Sequence, residues 1–486
     1  MPLFHSTVSR RDFMRNLGLT GFGICVSSVA PVFHDLDEVA ANNVSEKKPW
    51  WIKTRDTENP TVDIDWKTLN RFNPVEYNNF EKHITPEKVD KIFHDTNIKR
   101  QQELTLNTTP RFTLRDNALK LAGWYGVMLR NLVNPNAAKE LIEGPPTVAI
   151  PSGLTVPQMN QPPEFFGAPR YEGTQEENTA MLRSALRLFG ASSIAFVEIT
   201  ENTKKLLWTN QYEPPSPPYV FEEAEKPTYS PTKITIPNKS KWAVVFTVRQ
   251  SLELFLSGGY LSDAAAGTAY DNTDIVRYRL QVFLNALGYH SISASPVGLG
   301  PKAAWGVMSG LGELGRLQHL VTPEWGPMVR ESEMVIIDLP VISSKPIDFG
   351  ASRFCETSCT KCADTCPGQA LQKTKNPSWD ITPAYDTVKP KLFNNPGLKT
   401  WYFDHLKCRT VWEETGTFCG WCNASCVFSK DNVASIHDIV KTTIAGTSVF
   451  NDFFFTMDQA FGYKMKNQDE AEKWWHEDIP VHGINY

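Results

Sequence analysis

Phe354-Cys355-Glu-Thr-Ser-Cys359-Thr-Lys-Cys362-Ala-Asp-Thr-Cys366-Pro367 is the stretch on which the reading of this chain turns. A second run follows it: Cys408-x10-Cys419-x2-Cys422-x3-Cys426. Cysteines two or three residues apart can wrap three corners of one iron–sulfur cubane from a single tight loop, and a proline after the last one belongs to the same pattern. The fourth corner must come from elsewhere in the chain. Eight thiolates suffice for two 4Fe–4S clusters. The chain is therefore expected to carry electrons.

In two-cluster ferredoxins each run lends its last cysteine to the other cluster. That rule assigns Cys355, Cys359, Cys362 and Cys426 to one cluster, and Cys366, Cys408, Cys419 and Cys422 to the other. Two departures stand out. The first gap holds three residues instead of two, and the second run opens with ten residues and lacks a proline after Cys426. Zinc in four-thiolate sites is an alternative use of the same residues, and disulfide pairing is another.

Ser9-Arg10-Arg11-Asp12-Phe13-Met14-Arg15 precedes a weakly hydrophobic stretch, Leu17 to Phe33, rich in Gly, Ser and Thr. Paired arginines ahead of such a stretch read as a twin-arginine export signal. Val39-Ala40-Ala41 offers a small-residue cleavage site, so residues 1–41 are expected to be removed. Cofactors of this kind are inserted before export, and the twin-arginine translocase carries folded proteins. The ninth cysteine, Cys25, falls in the segment to be lost.

With 486 residues there is material for a large core and two or three domains. A formal net charge of −5 without a basic, aromatic-laced patch argues against a nucleic-acid partner. No apolar run of about 18 residues follows the leader, so a membrane span is not expected.

Residues 42–175 read as a polar, partly helical region with a helix near Leu119–Asn134. Glu176–Gly190 has helical period and a glycine stop, and Ser193–Ile199 reads as a strand. A Pro-rich excursion over 213–241 is too long for a tight connection and is expected to wrap on the surface. Trp242–Val248 reads as a buried strand, Asp274–Leu287 as a helix and Met334–Asp338 as another strand. Strands alternating with helices give an α+β fold with α/β-like layers over 176–345. The cysteine runs occupy 346–430, and an aromatic tail covers 431–486.

Gly310-Leu311-Gly312-Glu313-Leu314-Gly315-Arg316 is a glycine-spaced loop, followed by Thr322-Pro323-Glu324-Trp325-Gly326-Pro327-Met328-Val329-Arg330. Glycines so spaced let backbone amides approach a bulky or anionic ligand. No dinucleotide fingerprint is present. Gly310, Gly312, Glu313 and Gly315 are the candidate cofactor contacts. Trp305, Trp325 and Phe246 are candidate walls of an apolar pocket, or parts of the core.

Taken together, the leader, the Gly-Leu-Gly-Glu-Leu-Gly-Arg loop, the Thr-Pro-Glu-Trp-Gly-Pro stretch and the two cysteine runs resemble the respiratory reductive dehalogenases of organohalide-respiring bacteria. The resemblance implies a nitroreductase-like core that binds a cobamide, beside a ferredoxin-like domain with two 4Fe–4S clusters. It implies base-off cobalt without a protein histidine. None of the ten histidines here has Asp two residues before it, so the Asp-x-His-x-x-Gly motif is absent. The family's catalytic tyrosine, which precedes a helix ending in Leu-Gly-Tyr, falls on Tyr270, ahead of Leu287-Gly288-Tyr289. Its basic partner falls on Arg330. An asparagine found in some relatives falls on Pro296 or Ser295.

The mechanism implied is reduction of cobalt to Co(I) through the clusters, attack on an organohalide, and proton donation by Tyr270. A phenol is a weak acid until a cation stabilises its anion, which Arg can do. Further partners implied are a small membrane-anchor protein and a respiratory electron-donor complex at the outer face of the cytoplasmic membrane; dimerisation stays open. The alternatives are an exported iron–sulfur electron-transfer subunit without catalysis, and an epoxyqueuosine reductase-like cobamide enzyme.

Overall fold

Ala243-Val244-Val245-Phe246 is wholly buried on both faces, so the strand that carries it must lie between two layers. The computed structural model describes residues 48–75, 86–133, 139, 142–143, 161–212, 214–294, 298–381, 393–430, 435–460 and 464–484. The expected leader, and positions 295 and 296, lie outside the described residues. The elements that shape the centre are α1 (Leu114–Val133), α2 (Gln175–Phe189), β1 (Ser193–Glu198), β2 (Trp242–Arg249), α3 (Gly259–Ala286), β3 (Ser291–Ile292), α4 (Lys302–Met308) and β4 (Val329–Ile337). The four strands form one antiparallel sheet in the order β1-β2-β4-β3.

Alternation sorts the strand residues onto two cores. Phe196, Val244, Phe246, Val248, Val335 and Ile337 face Leu182 and Leu186 of α2 and Val276, Leu280 and Leu284 of α3. Ala195, Val245, Met334 and Ile336 face Trp305, Val307 and Met308 of α4. Phe246 and Trp305 are thus core residues. The α2 helix is set by local chemistry: Thr174 and Glu177 form a capping box, and Gly190 ends the helix with φ of 111°.

Two expectations are corrected. The helix expected at Asp274–Leu287 begins at Gly259 and runs for 28 residues, so Tyr270 lies inside it and not ahead of it. Ala264, Ala265 and Ala266 are strong helix formers buried against α1, Ala269 is buried on the sheet side, and no proline interrupts 259–273. Close approach of α1 and α3 depends on Gly123 and Gly267, where an added Cβ would meet the opposing backbone at 2.7 and 2.8 Å. The Pro-rich excursion is not an irregular wrap. Within it Tyr219–Glu222, Thr228–Ser230 and Lys233–Pro237 make a three-stranded sheet whose Ile234 and Ile236 enter the α4-side core.

Near the chain's end, Trp475 donates to Asp116 of α1 at 2.9 Å, and Arg115 pairs with Glu472. Among the described residues, no helix is long and apolar enough to cross a membrane.

Candidate functional site

Tyr270 projects from the middle of α3 into a set of cations and aromatic rings. The Arg330 guanidinium carbon lies 4.5 Å from its ring centroid, and the Lys302 ammonium lies 5.7 Å from it. Trp124 of α1 packs on the ring at 5.5 Å and is itself held by a hydrogen bond from its indole to Asp263 at 2.8 Å. Tyr270 is only half-buried.

Arg330 and Glu333 reach this site because β4 is irregular. Arg330 pairs with Val248 and Glu333 with Phe246, so three steps on β4 oppose two on β2. In a regular strand, residues three apart face opposite ways; the bulge returns Glu333 to the face of Arg330. Glu333 is fully buried and binds Lys302 at 2.8 Å, with Arg277 at 3.8 Å. Arg277 pairs in turn with Asp274 at 2.6 Å and donates to the Ala294 carbonyl at 2.9 Å. Lys302, Glu333 and Arg277 were not anticipated from sequence. A charged residue in a strand next to an apolar run was the available signal.

The cysteine runs fold as a local repeat. Residues Lys361–Thr365 and Trp421–Ser425 form two short helices that pack together. Each starts one residue before the middle cysteine of a Cys-x2-Cys-x3-Cys unit and ends one residue before the last, which caps it. Burial pushes the thiols up from their ordinary range: Cys408 and Cys426 to about 12, Cys419 to about 11, with Cys355, Cys359, Cys362 and Cys422 also raised. Neighbouring sulfurs add to this. Cys355, Cys359 and Cys426 act on Cys362, whereas Cys366, Cys408 and Cys419 act on Cys422; Cys422 also acts on Cys362. All eight are free thiols, so no disulfide uses them. Among the described residues, no three His, Cys, Asp or Glu side chains converge on the position of a single metal ion.

The glycine-spaced loop serves the first cysteine run. Cβ atoms at Gly310 and Gly312 would meet the carbonyl oxygens of Lys345 and Val321 at 2.0 and 2.1 Å, and at Gly315 the Leu317 side chain at 2.7 Å. The room these glycines provide is filled by protein. Glu313, fully buried, accepts from the backbone N–H groups of Phe349, Ala351 and Ser352 at 2.6, 3.2 and 3.0 Å, at the start of helix Ala351–Thr357. Burial raises its carboxyl, and those N–H groups oppose the shift. Arg316, also buried, donates to the carbonyls of Cys355 and Cys359 at 2.6 and 3.0 Å and to Gln372 and Thr374. Two charged residues of one loop thus hold the start of the Cys355 helix and the cysteine carbonyls at and beyond its end. That geometry gives Gly310, Gly312, Glu313 and Gly315 a packing role in the fold. Trp325 lies 3.6 Å from the Arg249 guanidinium.

Do the residues present suit an iron–sulfur and corrinoid complement? The thiols do, being free and grouped, with Cys355, Cys359, Cys362 and Cys426 buried and the other four partly so. Among the described residues, the buried polar atoms Ser293 Oγ and Trp305 Nε1, and Arg330 Nε and Nη1 beside Tyr270, have no hydrogen-bond partner. Each such atom costs about 1–3 kcal/mol if left unsatisfied, so a bound polar group at Ser293 and Trp305, and an anion at Arg330, would suit these positions. A cavity of about 180 Å³ lies against α3, lined by Arg249, Thr268, Asn272, Trp474 and Ile484 among others. Tyr270 does not line it.

The family model described as "Reductive dehalogenase subunit" matches residues 47–341. The chloroethene reductive dehalogenase of Dehalococcoides mccartyi (strain VS) is 30% identical over 542 residues, covering 100% of this chain and 99% of that protein. The trichloroethene reductive dehalogenase of Dehalococcoides mccartyi (strain ATCC BAA-2266 / KCTC 15142 / 195) is 30% identical over 577 residues, covering 99% of each. A solved structure described as "Reductive dehalogenase structure suggests a mechanism for B12-dependent dehalogenation" superposes with a TM-score of 0.57 at 16% identity. The match covers 87% of this chain and 50% of that one, and it concerns the fold. With its family match over more than half its length and full-length relatives at 30% identity, the chain belongs to the reductive dehalogenase family.

Proposed function

We propose that this reductive dehalogenase acts on chlorinated ethenes and replaces one chlorine by hydrogen, with Tyr270 as the proton donor. The relatives that align over the whole chain are named for chloroethene and trichloroethene. The observation that carries the mechanism is the pair of cations at one tyrosine, Arg330 at 4.5 Å and Lys302 at 5.7 Å from the ring centroid.

The overall reaction consumes an organohalide, two electrons and one proton, and yields the hydrogenated product and a halide ion. When bound, the corrinoid supplies the reduced cobalt that breaks the carbon–halogen bond, and the iron–sulfur clusters supply its electrons. The chain's own part is positioning and proton supply. The Tyr270 hydroxyl donates the proton that replaces chlorine, and Arg330 stabilises the phenolate left behind. Glu333 and Asp274 balance Lys302 and Arg277, so these buried cations need no solvent to neutralise them. Trp124 covers the ring of Tyr270 and excludes water from that side.

The grouping of sulfurs supports two 4Fe–4S clusters, one held by Cys355, Cys359, Cys362 and Cys426 and the other by Cys366, Cys408, Cys419 and Cys422. Such a ferredoxin-like unit beside a nitroreductase-like, cobamide-binding core is the architecture proposed for residues 346–430 and 176–345. Residues 1–41 are proposed to direct twin-arginine export to the outer face of the membrane, where an anchor protein and an electron-donor complex would be met. A reporter fused to residues 1–41 that stays in the cytoplasm would remove this part.

The deciding experiment is halide release by anaerobically purified protein with a reduced viologen as donor. Chlorinated ethenes, ethanes and aromatics are compared, and iron and cobalt are measured on the same samples. Turnover of ethenes is expected. Turnover of aromatics alone would overturn the substrate class. Fully metallated protein inert to every organohalide would overturn the function.

A further inference from the structure

Arg330 is a buried cation without a countercharge. Only 4% of it is exposed, and among the described residues no carboxylate pairs with it and its Nε and Nη1 donors make no hydrogen bond. Its charged neighbours pair with one another instead: Lys302 with Glu333, and Arg277 with both Glu333 and Asp274. Two aromatic rings flank the guanidinium, Tyr270 at 4.5 Å and Phe418 at 5.6 Å from ring centroid to Cζ. Guanidinium donors lie in the plane of the group and bind anions edge-on, and a buried unpaired cation is costly.

We propose that the N–H edge of Arg330 is a halide-binding site, which receives the ion expelled by the reaction. The inference rests on the dehalogenase reading above. The larger halides are weakly hydrated, polarisable anions and suit the edge of a guanidinium whose faces are covered by rings. The step balances: the carbon–halogen bond breaks, two electrons pass to the substrate, and the halogen leaves with an electron pair onto Arg330. The proton comes from Tyr270. The same cation then serves two anions, the halide and the phenolate, so halide must leave before Arg330 can fully stabilise Tyr270. Product inhibition by halide follows, strongest for the least hydrated ion.

Chloride NMR linewidths measured with the holoenzyme test this directly, without turnover. A saturable broadening is expected, displaced by bromide and more effectively by iodide, retained in Tyr270→Phe and lost in Arg330→Met. Arg330→Lys, which keeps the charge without the fork, is expected to retain a weakened signal and controls for folding. Iron and cobalt contents of each sample test the underlying reading separately. Broadening that persists in Arg330→Met, or is absent from fully metallated wild type, would overturn the site. Displacement by sulfate as readily as by bromide would overturn its assignment to halide.

Discussion

Arg330 lies with its guanidinium carbon 4.5 Å from the ring centroid of Tyr270, although the two residues come from different elements, a strand and a helix. A β-bulge places the arginine, and the buried, alanine-rich half of a 28-residue helix places the tyrosine. If this pair donates the proton, Tyr270→Phe keeps the ring and its contacts with Trp124 and Arg330 but loses the acid. Iron and cobalt should be retained while kcat falls by about 100-fold or more. Full activity in this variant would take Tyr270 out of the mechanism.

Arg330 should not be replaceable by charge alone. Lys cannot reproduce a planar cation against the Tyr270 ring. Arg330→Met is expected to lower kcat by about 100-fold and Arg330→Lys by less. Steady-state kinetics on samples matched for metal content separate the two.

Glu333 is expected to matter more for stability than for chemistry. It is fully buried between Lys302 and Arg277, so Glu333→Gln leaves two interior cations short of an anion. The expected loss is about 3–5 kcal/mol, read from denaturant unfolding. Adding Lys302→Met should recover part of it. A double variant no more stable than the single one would show that the pair does not act as a unit.

The Glu313–Arg316 clamp gives a metal-content prediction. Arg316→Gln releases the carbonyls of Cys355 and Cys359, so iron should fall by roughly half while cobalt is kept. Loss of cobalt with iron intact would return this loop to the corrinoid.

Cluster-free protein should be labile in alkali. A thiol whose pKa is raised on folding contributes stability that is whole below its unfolded value and is lost as pH rises toward the folded one. For Cys408 and Cys426 that window runs from 9.0 to about 12. Each such thiol then costs up to about 1.4 kcal/mol per pH unit within it. Thermal midpoints should fall across this range without clusters and much less with them, because ligation already holds the sulfurs deprotonated. Equal slopes with and without clusters would count against buried ligands.

Sequence alone was enough for features set by neighbours in the chain. Cysteine spacing is local, and it returns in the fold as the two short helices Lys361–Thr365 and Trp421–Ser425. The stop at Gly190 is local too, and α2 ends where it puts it. The α3 helix was underestimated at its start because burial beneath α1, not a sequence cap, carries it back to Gly259. Gly310-Leu-Gly-Glu-Leu-Gly-Arg316 looked like a ligand cradle, since glycine permits close approach without saying of what. Only the folded chain shows that the approaching group is its own backbone. In the same way, charges at 302, 330 and 333 become a site only when a bulge turns two of them to one face and packing brings Tyr270 and Lys302 to them. Side-chain direction after a bulge, and the partner a buried charge meets, depend on contacts far apart in sequence.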